Sequence, residues 1–163
     1  MLGKNHLKTS VAHFATVAPL LFPNLSPTAY LLATAGVGLG SILPDIDQPQ
    51  SLAGRGFAPV STWLQNAIGH RTITHTVWAI LFFAILFFPI YQLPLTIPLY
   101  YGLLSGYTLH LIQDFFSQAS INILWPLPRP LKVGGYRVGG TAEYYYTIIS
   151  IIFGIIGLLL YAY

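Results

Sequence analysis

No cysteine occurs in the 163 residues, which excludes disulfides, a thiol nucleophile and thiolate metal ligands. Acidic residues are almost as scarce. The chain has four, and its charged residues reach only 7% where a soluble domain carries roughly a quarter. A surface kept in water by charge is therefore excluded, and each carboxylate needs a reason of its own. Three of the four, Asp45, Asp47 and Asp114, lie beside or between histidines in short polar patches of an otherwise apolar chain.

What is present in quantity is hydrocarbon. Hydrophobic residues make up 55% of the chain and its mean hydropathy is +0.66, values that belong to an integral membrane protein. Lipid offers backbone groups no hydrogen-bond partner, so only helices or a closed barrel can cross it. The apolar runs here are continuous and lack the alternation of barrel strands. The expectation is an all-α membrane-embedded helical bundle forming a single domain over residues 1–163.

Five apolar stretches can be drawn: Leu7 to Phe22, Thr28 to Leu43, His75 to Tyr91, Ile97 to Ile112 and Tyr144 to Tyr163. The second carries Gly36, Gly38 and Gly40, residues suited to close helix contact. The last has the length and the terminal tyrosines of a lipid-facing span. No small-x-small cleavage site follows Phe22, so the first helix is expected to stay attached. With five spans in place, all seven lysines and arginines fall on one side and the opposite turns carry none. By the positive-inside rule the N-terminus is cytoplasmic and the C-terminus emerges on the far side. The same count brings the polar patches to the cytoplasmic face.

Those patches carry the candidate chemistry. In LPDIDQPQS, Pro44 stops the second helix and leaves Asp45 and Asp47 in extended or turn geometry, where residues two apart can point the same way. Paired carboxylates repel unless a cation lies between them. In GHRTITHT, His70 and His75 do not share a helical face; His75 is expected in the first helical turn, capped by Thr72 or Thr74, with Arg71 as an anion clamp. In GYTLHLIQDFFSQ, His110 and Asp114 stand one helical turn apart and project from one face. His6 lies at the same level, whereas His13 is about 10 Å deeper at a rise of about 1.5 Å per residue. The candidate ligands are thus His6, Asp45, Asp47, His70, His75, His110 and Asp114, with His13 packed and Glu143 marking the start of the last span.

Together these patches resemble a known family. His6, the PDID of Pro44 to Asp47 followed by Ser51, the HRTITHT of His70 to Thr76, and the GYTLHLIQD of Gly106 to Asp114 followed by LWPLP are similar to the YdjM-type inner-membrane family, first associated with LexA regulation. The resemblance runs from His6 to about Pro128. That family usually reads HRGxTHS, and Thr72 and Thr76 depart from its glycine and serine. The resemblance implies a multi-span helical protein of the bacterial inner membrane with metal-dependent hydrolase activity. A more distant similarity, in the order of ligands, is to zinc-dependent phospholipase C, which points to phosphoester chemistry.

A nitrogen-and-oxygen ligand set suits zinc first, then manganese or iron, and seven ligands exceed what one tetrahedral ion needs. One to three ions are expected, with Asp45 or Asp47 bridging two of them and an unligated Asp as general base. Arg71 would steady an anionic substrate. Membrane lipids and a small-molecule or lipid substrate are the expected partners, with no nucleic acid and an oligomeric state left open. Arg129, Lys132 and Arg137 could meet lipid headgroups but are more simply read as positive-inside charge. The alternative is a small metal or ion transporter. A transporter needs polar groups through the membrane midplane, where His13 and scattered Ser and Thr are all this chain offers.

Overall fold

The computed structural model describes residues 1–118, 121–127 and 135–162. Among the described residues the regular structure is helical, apart from a single bridge between Ser117 and Tyr136. The α-helices are α1 (Gly3–Leu21), α2 (Pro27–Gly40), α3 (Leu52–Gly56), α4 (Ala58–Ile68), α5 (Val77–Leu86), α6 (Phe88–Tyr91), α7 (Ile97–Phe115) and α8 (Thr141–Ala162). Short 3-10 turns occupy Leu43–Asp47, Ile73–His75 and Pro94–Thr96.

Local chemistry sets the boundaries. Ser26 caps α2, its hydroxyl accepting from the Ala29 amide with Pro27 in the first helical turn. Ser51 caps α3 through the Gly54 amide and donates back to the Asp45 carbonyl at 2.7 Å, tying α3 to the preceding turn. Gly69, at φ +80°, ends α4 in a conformation that a side chain would oppose. Thr76, and not Thr72 or Thr74, caps α5, so His75 lies in the 3-10 turn ahead of that helix and not in its first turn.

Two helix pairs form the frame: α2 crosses α7 and α1 lies along α8, with α1 also meeting α2. At the α2–α7 crossing the glycines of each helix lie against the other helix's backbone. A Cβ at Gly40 would overlap the Leu103 carbonyl, and one at Gly106 would overlap the Val37 carbonyl. Gly38, also expected in a close contact, faces Leu7 and Val11 of α1 instead. The short helices α3 to α6 lie to one side and carry loops to the shared end of the frame.

The exterior is apolar, with Leu20, Leu31 and Ile85 each between 67% and 76% exposed, while His6, His75, His110, Asp47 and Asp114 are fully buried. That inversion suits a hydrocarbon surround. Among the described residues two segments are long and apolar enough to cross a membrane, Pro27–Asp47 with 21 residues and Thr141–Ala162 with 22, in place of the five expected. The stretch from His75 to Tyr91 is not one helix. Pro89, lacking an amide hydrogen, starts a separate turn of helix after Phe87, so α5 keeps only ten residues. At about 1.5 Å per residue it covers about 15 Å, half of a hydrocarbon core of about 30 Å. Helices α1 and α7 reach 19 residues each, but their buried faces carry Thr9 and Ser10 in one and Gln113 and Asp114 in the other.

Candidate metal centre

Four stretches meet at the shared end of the frame. The first turn of α1 brings His6, the turn Leu43–Asp47 brings Asp45 and Asp47, the loop after α4 brings His70, Arg71 and His75, and the last turns of α7 bring His110 and Asp114. The rings of His6 and His110 stack with centroids 3.7 Å apart, and His75 lies edge-on to His110 at 5.3 Å.

Each buried histidine is held from behind. His110 Nδ1 lies 2.7 Å from the Ser41 carbonyl oxygen, which can only accept, so this nitrogen carries the proton. His6 Nδ1 lies 2.8 Å from Gln113 Oε1, and the Gln113 amide nitrogen donates to Ser10, leaving the oxygen to accept. His75 Nδ1 lies 2.9 Å from Thr74 Oγ1, whose own proton goes to Asp47 Oδ2 at 2.6 Å. All three Nε2 atoms therefore turn inward, and all three are buried without a hydrogen-bond partner, as is Asp114 Oδ2. Nitrogen atoms oriented this way from outside are the arrangement that metal-binding histidines adopt.

The donor atoms stand at ligand spacing. His6 Nε2 is 3.2 Å from Asp114 Oδ1; His75 Nε2 is 3.5 Å from Asp45 Oδ1 and 3.7 Å from Asp114 Oδ2; His110 Nε2 is 3.7 Å and 3.8 Å from the same two oxygens. Two ligands about 2.0–2.1 Å from a tetrahedral zinc stand about 3.3 Å apart. Three overlapping groups could hold an ion: His6, His110 and Asp114; Asp45, His75 and His110; and Asp45, Asp47 and His70. His75 shows what the crowding of carboxylates does. Burial alone would lower its pKa, but Asp45, Asp47 and Asp114 outweigh that and raise it to about 9. A cation taking its Nε2 displaces a proton.

Asp45 and Asp47 come together, both beside His75 and in one group with His70, but their other contacts differ. With about three residues per 3-10 turn, positions two apart diverge by roughly a third of a revolution. Asp45 faces His75 and His110, whereas both oxygens of Asp47 are engaged elsewhere: Oδ1 with His70 Nδ1 at 2.7 Å, Oδ2 with the Arg71 amide at 2.9 Å and with Thr74. Asp47 thereby holds Arg71 at φ +62°, a left-handed conformation uncommon for a side chain of this size. The Arg71 guanidinium lies 3.0 Å from Asp114 Oδ2 without hydrogen-bond alignment, and its Nε is buried and unpartnered.

His6, Asp45, His75, His110 and Asp114 are thus brought together, with Asp47 and His70 adjoining and Arg71 at the edge. His13 is elsewhere, facing Tyr146 and Ser150 of α8. Glu143 does more than mark a boundary. Fully buried, it accepts from the Leu2 amide, Asn5 Nδ2 and the Gly139 amide and so ties the start of α8 to the start of α1. Met1 is carried by the same contacts to the cluster, its amine 2.7 Å from Asp114 Oδ1. Arg137 is exposed, and Arg129 and Lys132 lie outside the described residues. Gln113, Thr74 and the Ser41 carbonyl were not among the expected site residues. Gln113 was findable, since it follows His110 by three and adjoins Asp114; a backbone carbonyl leaves no mark in a sequence.

Comparison with known proteins agrees with these motifs. A family model described as "YdjM inner membrane protein" matches residues 1–162. The uncharacterized protein YvsG of Bacillus subtilis is 32% identical over 143 residues, covering 83% of this chain and 84% of that one. The inner membrane protein YdjM of Escherichia coli is 31% identical over 132 residues, covering 77% of this chain and 66% of that protein. No solved structure matches.

Proposed function

This chain belongs to the YdjM inner membrane protein family, and on that premise we propose that it is a multi-pass, metal-dependent hydrolase acting on a phosphoester at the cytoplasmic face of the membrane. One observation carries the reading: the Nε2 atoms of His6, His75 and His110 and an oxygen of Asp114 are buried together without partners. Polar atoms without a hydrogen bond in a dry interior cost about 1–3 kcal/mol each, and divalent cations at the overlapping groups would relieve them. With no sulfur in the donor set, zinc is the first choice, and manganese or iron would fit as well. The overlapping groups would offer places for one to three ions.

Bound there, the cation supplies Lewis acidity and activation of water. The protein's own groups do the rest. Asp45, His75 and His110 would hold one ion, and His6, His110 and Asp114 would hold one on the other side of His110. Asp47 fixes the loop that carries His75, and His70, 30% exposed with its Nδ1 on Asp47, stands at the rim where a substrate would enter. Arg71, adjacent to Asp114, is placed to receive negative charge on a phosphoryl group.

Metal analysis of the purified protein tests the reading, with His75→Ala and Asp114→Ala as controls. Stoichiometric metal in the wild type and its loss in both variants is the expected result. A wild type without metal removes the basis of the proposal. Metal without hydrolysis of any phosphoester or lipid would favour the transport or storage of ions.

A further inference from the structure

A groove of about 510 Å³ opens between the turn Leu43–Asp47, α4 and α5. Its walls are hydrocarbon: Ile46, Leu64, Ile73, Trp78, Phe82 and Leu86, with Thr74 the one polar residue lining it. Trp78, Phe82 and Leu86 recur every four residues, so they form a continuous stripe along α5 about 12 Å long at about 1.5 Å per residue. Ala79 supplies the depth. It is buried within the same face, where a larger side chain would fill the channel.

One end of this groove adjoins the candidate metal centre through Thr74. Ile46 separates Asp45 from Asp47, and Ile73 and Thr74 immediately precede His75. Thr74 is the link: it lines the groove and bonds both Asp47 and His75. Apolar grooves between α1 and α8, about 470 Å³, and between α1 and α7, about 420 Å³, are lined among the described residues by none that bonds a clustered side chain. The other end, at Trp78 and beyond, is open, with Phe82 60% exposed on a surface that suits hydrocarbon. Beyond Thr74, the Arg71 guanidinium lies at the cluster, 3.0 Å from Asp114 Oδ2.

We propose that this groove seats an acyl chain of an anionic phospholipid whose phosphate lies at the histidine–aspartate cluster. The proposal rests on the hydrolase reading for the placement of the phosphate, and it makes the substrate class a membrane phospholipid admitted sideways from the bilayer. Hydrocarbon along Trp78, Phe82 and Leu86 supplies affinity for the chain, and charge at Arg71 selects the headgroup.

The test is photolabelling in phosphatidylcholine vesicles with a phosphatidic acid that carries a diazirine in its acyl chain. Labelling of α5 between Trp78 and Leu86 should saturate, and about tenfold excess of unlabelled phosphatidic acid should lower it about tenfold, as competition for one site requires. Labelling of Ile149, Phe153 and Ile156 on the outer face of α8 should not be competed. Groove labelling that scales with the α8 labelling and resists competition overturns the proposal, because the groove then holds only bulk lipid. Ala79→Phe should abolish the competed labelling with metal content unchanged. Phe82→Trp, which narrows the groove without touching its buried wall, serves if the first variant fails to fold, and unchanged competed labelling in either folded variant counts against the groove. Metal content and hydrolysis of bis(p-nitrophenyl) phosphate are read on the same preparations. Competed labelling without metal or hydrolysis sinks the hydrolase reading and leaves the lipid groove; metal and hydrolysis without competed labelling do the reverse.

Discussion

His75 illustrates how one residue couples charge to binding. Its pKa is raised to about 9, so its imidazolium stabilises the metal-free protein below the ordinary value of about 6.5, and this stabilisation is lost as pH rises through about 9. A cation has to displace that proton. Metal affinity should therefore climb by about tenfold per pH unit toward pH 9 and then level off, and titration with zinc buffers at several pH values would follow it. His75→Gln should flatten the slope as well as weaken binding. The residues behind the ring nitrogens make a second prediction. Gln113→Leu or Thr74→Val removes the contact that orients His6 or His75 and should lower metal affinity by about 10–100-fold with the helical signal by circular dichroism retained. The residues that cluster were legible because histidine and carboxylate are conspicuous in an apolar chain. The supporting amide and hydroxyl were less so, since glutamine and threonine have many other uses.

At the scale of elements, the crossing of α2 and α7 decides whether the ligands meet. It brings the Ser41 carbonyl to His110 and the turn Leu43–Asp47 to the end of α7. Gly106→Leu forces the two backbones apart and should cost at least about 1–3 kcal/mol, with loss of metal, measured by thermal unfolding in detergent. Gly56→Ala, where a Cβ meets nothing within 4 Å, should be close to neutral in the same assay. The glycines of α2 were visible in the sequence as a helix-contact surface; their partners Gly102 and Gly106 on α7 were fixed only by the packing. The helix expected from His75 to Tyr91 failed for a local reason. Periodicity and hydropathy run straight through Phe87, while Pro89 breaks the ladder. Thr76 keeps the capping hydroxyl that a serine would supply, so that departure from the family pattern leaves the start of α5 intact.

At the scale of the whole molecule, the proposed topology puts the N-terminus and the cluster on the cytoplasmic side. The chain has no cysteine, so single cysteines can be introduced one at a time without a background. Cysteine at Lys4 or Gln48 should react with a membrane-impermeant maleimide only from the cytoplasmic side, and cysteine at Ala162 only from the opposite side. Labelling of Lys4 and Ala162 positions from one side would mean an even number of crossings and would overturn the proposed topology.

The sequence by itself determined the membrane class, the helical fold, the family and the inventory of donor atoms, because hydropathy and ligand chemistry are properties of residues. It also determined that His110 and Asp114 lie together, since one helical turn fixes their common face. Tertiary structure alone decided which ring nitrogen of each histidine turns inward, that Asp47 spends both oxygens on the loop, that Glu143 ties α8 to α1, and that His13 lies apart. Those outcomes depend on contacts between residues far apart in the chain, 24 positions for Asp47 and Arg71 and 107 for His6 and Gln113, and local spacing carries no information about them.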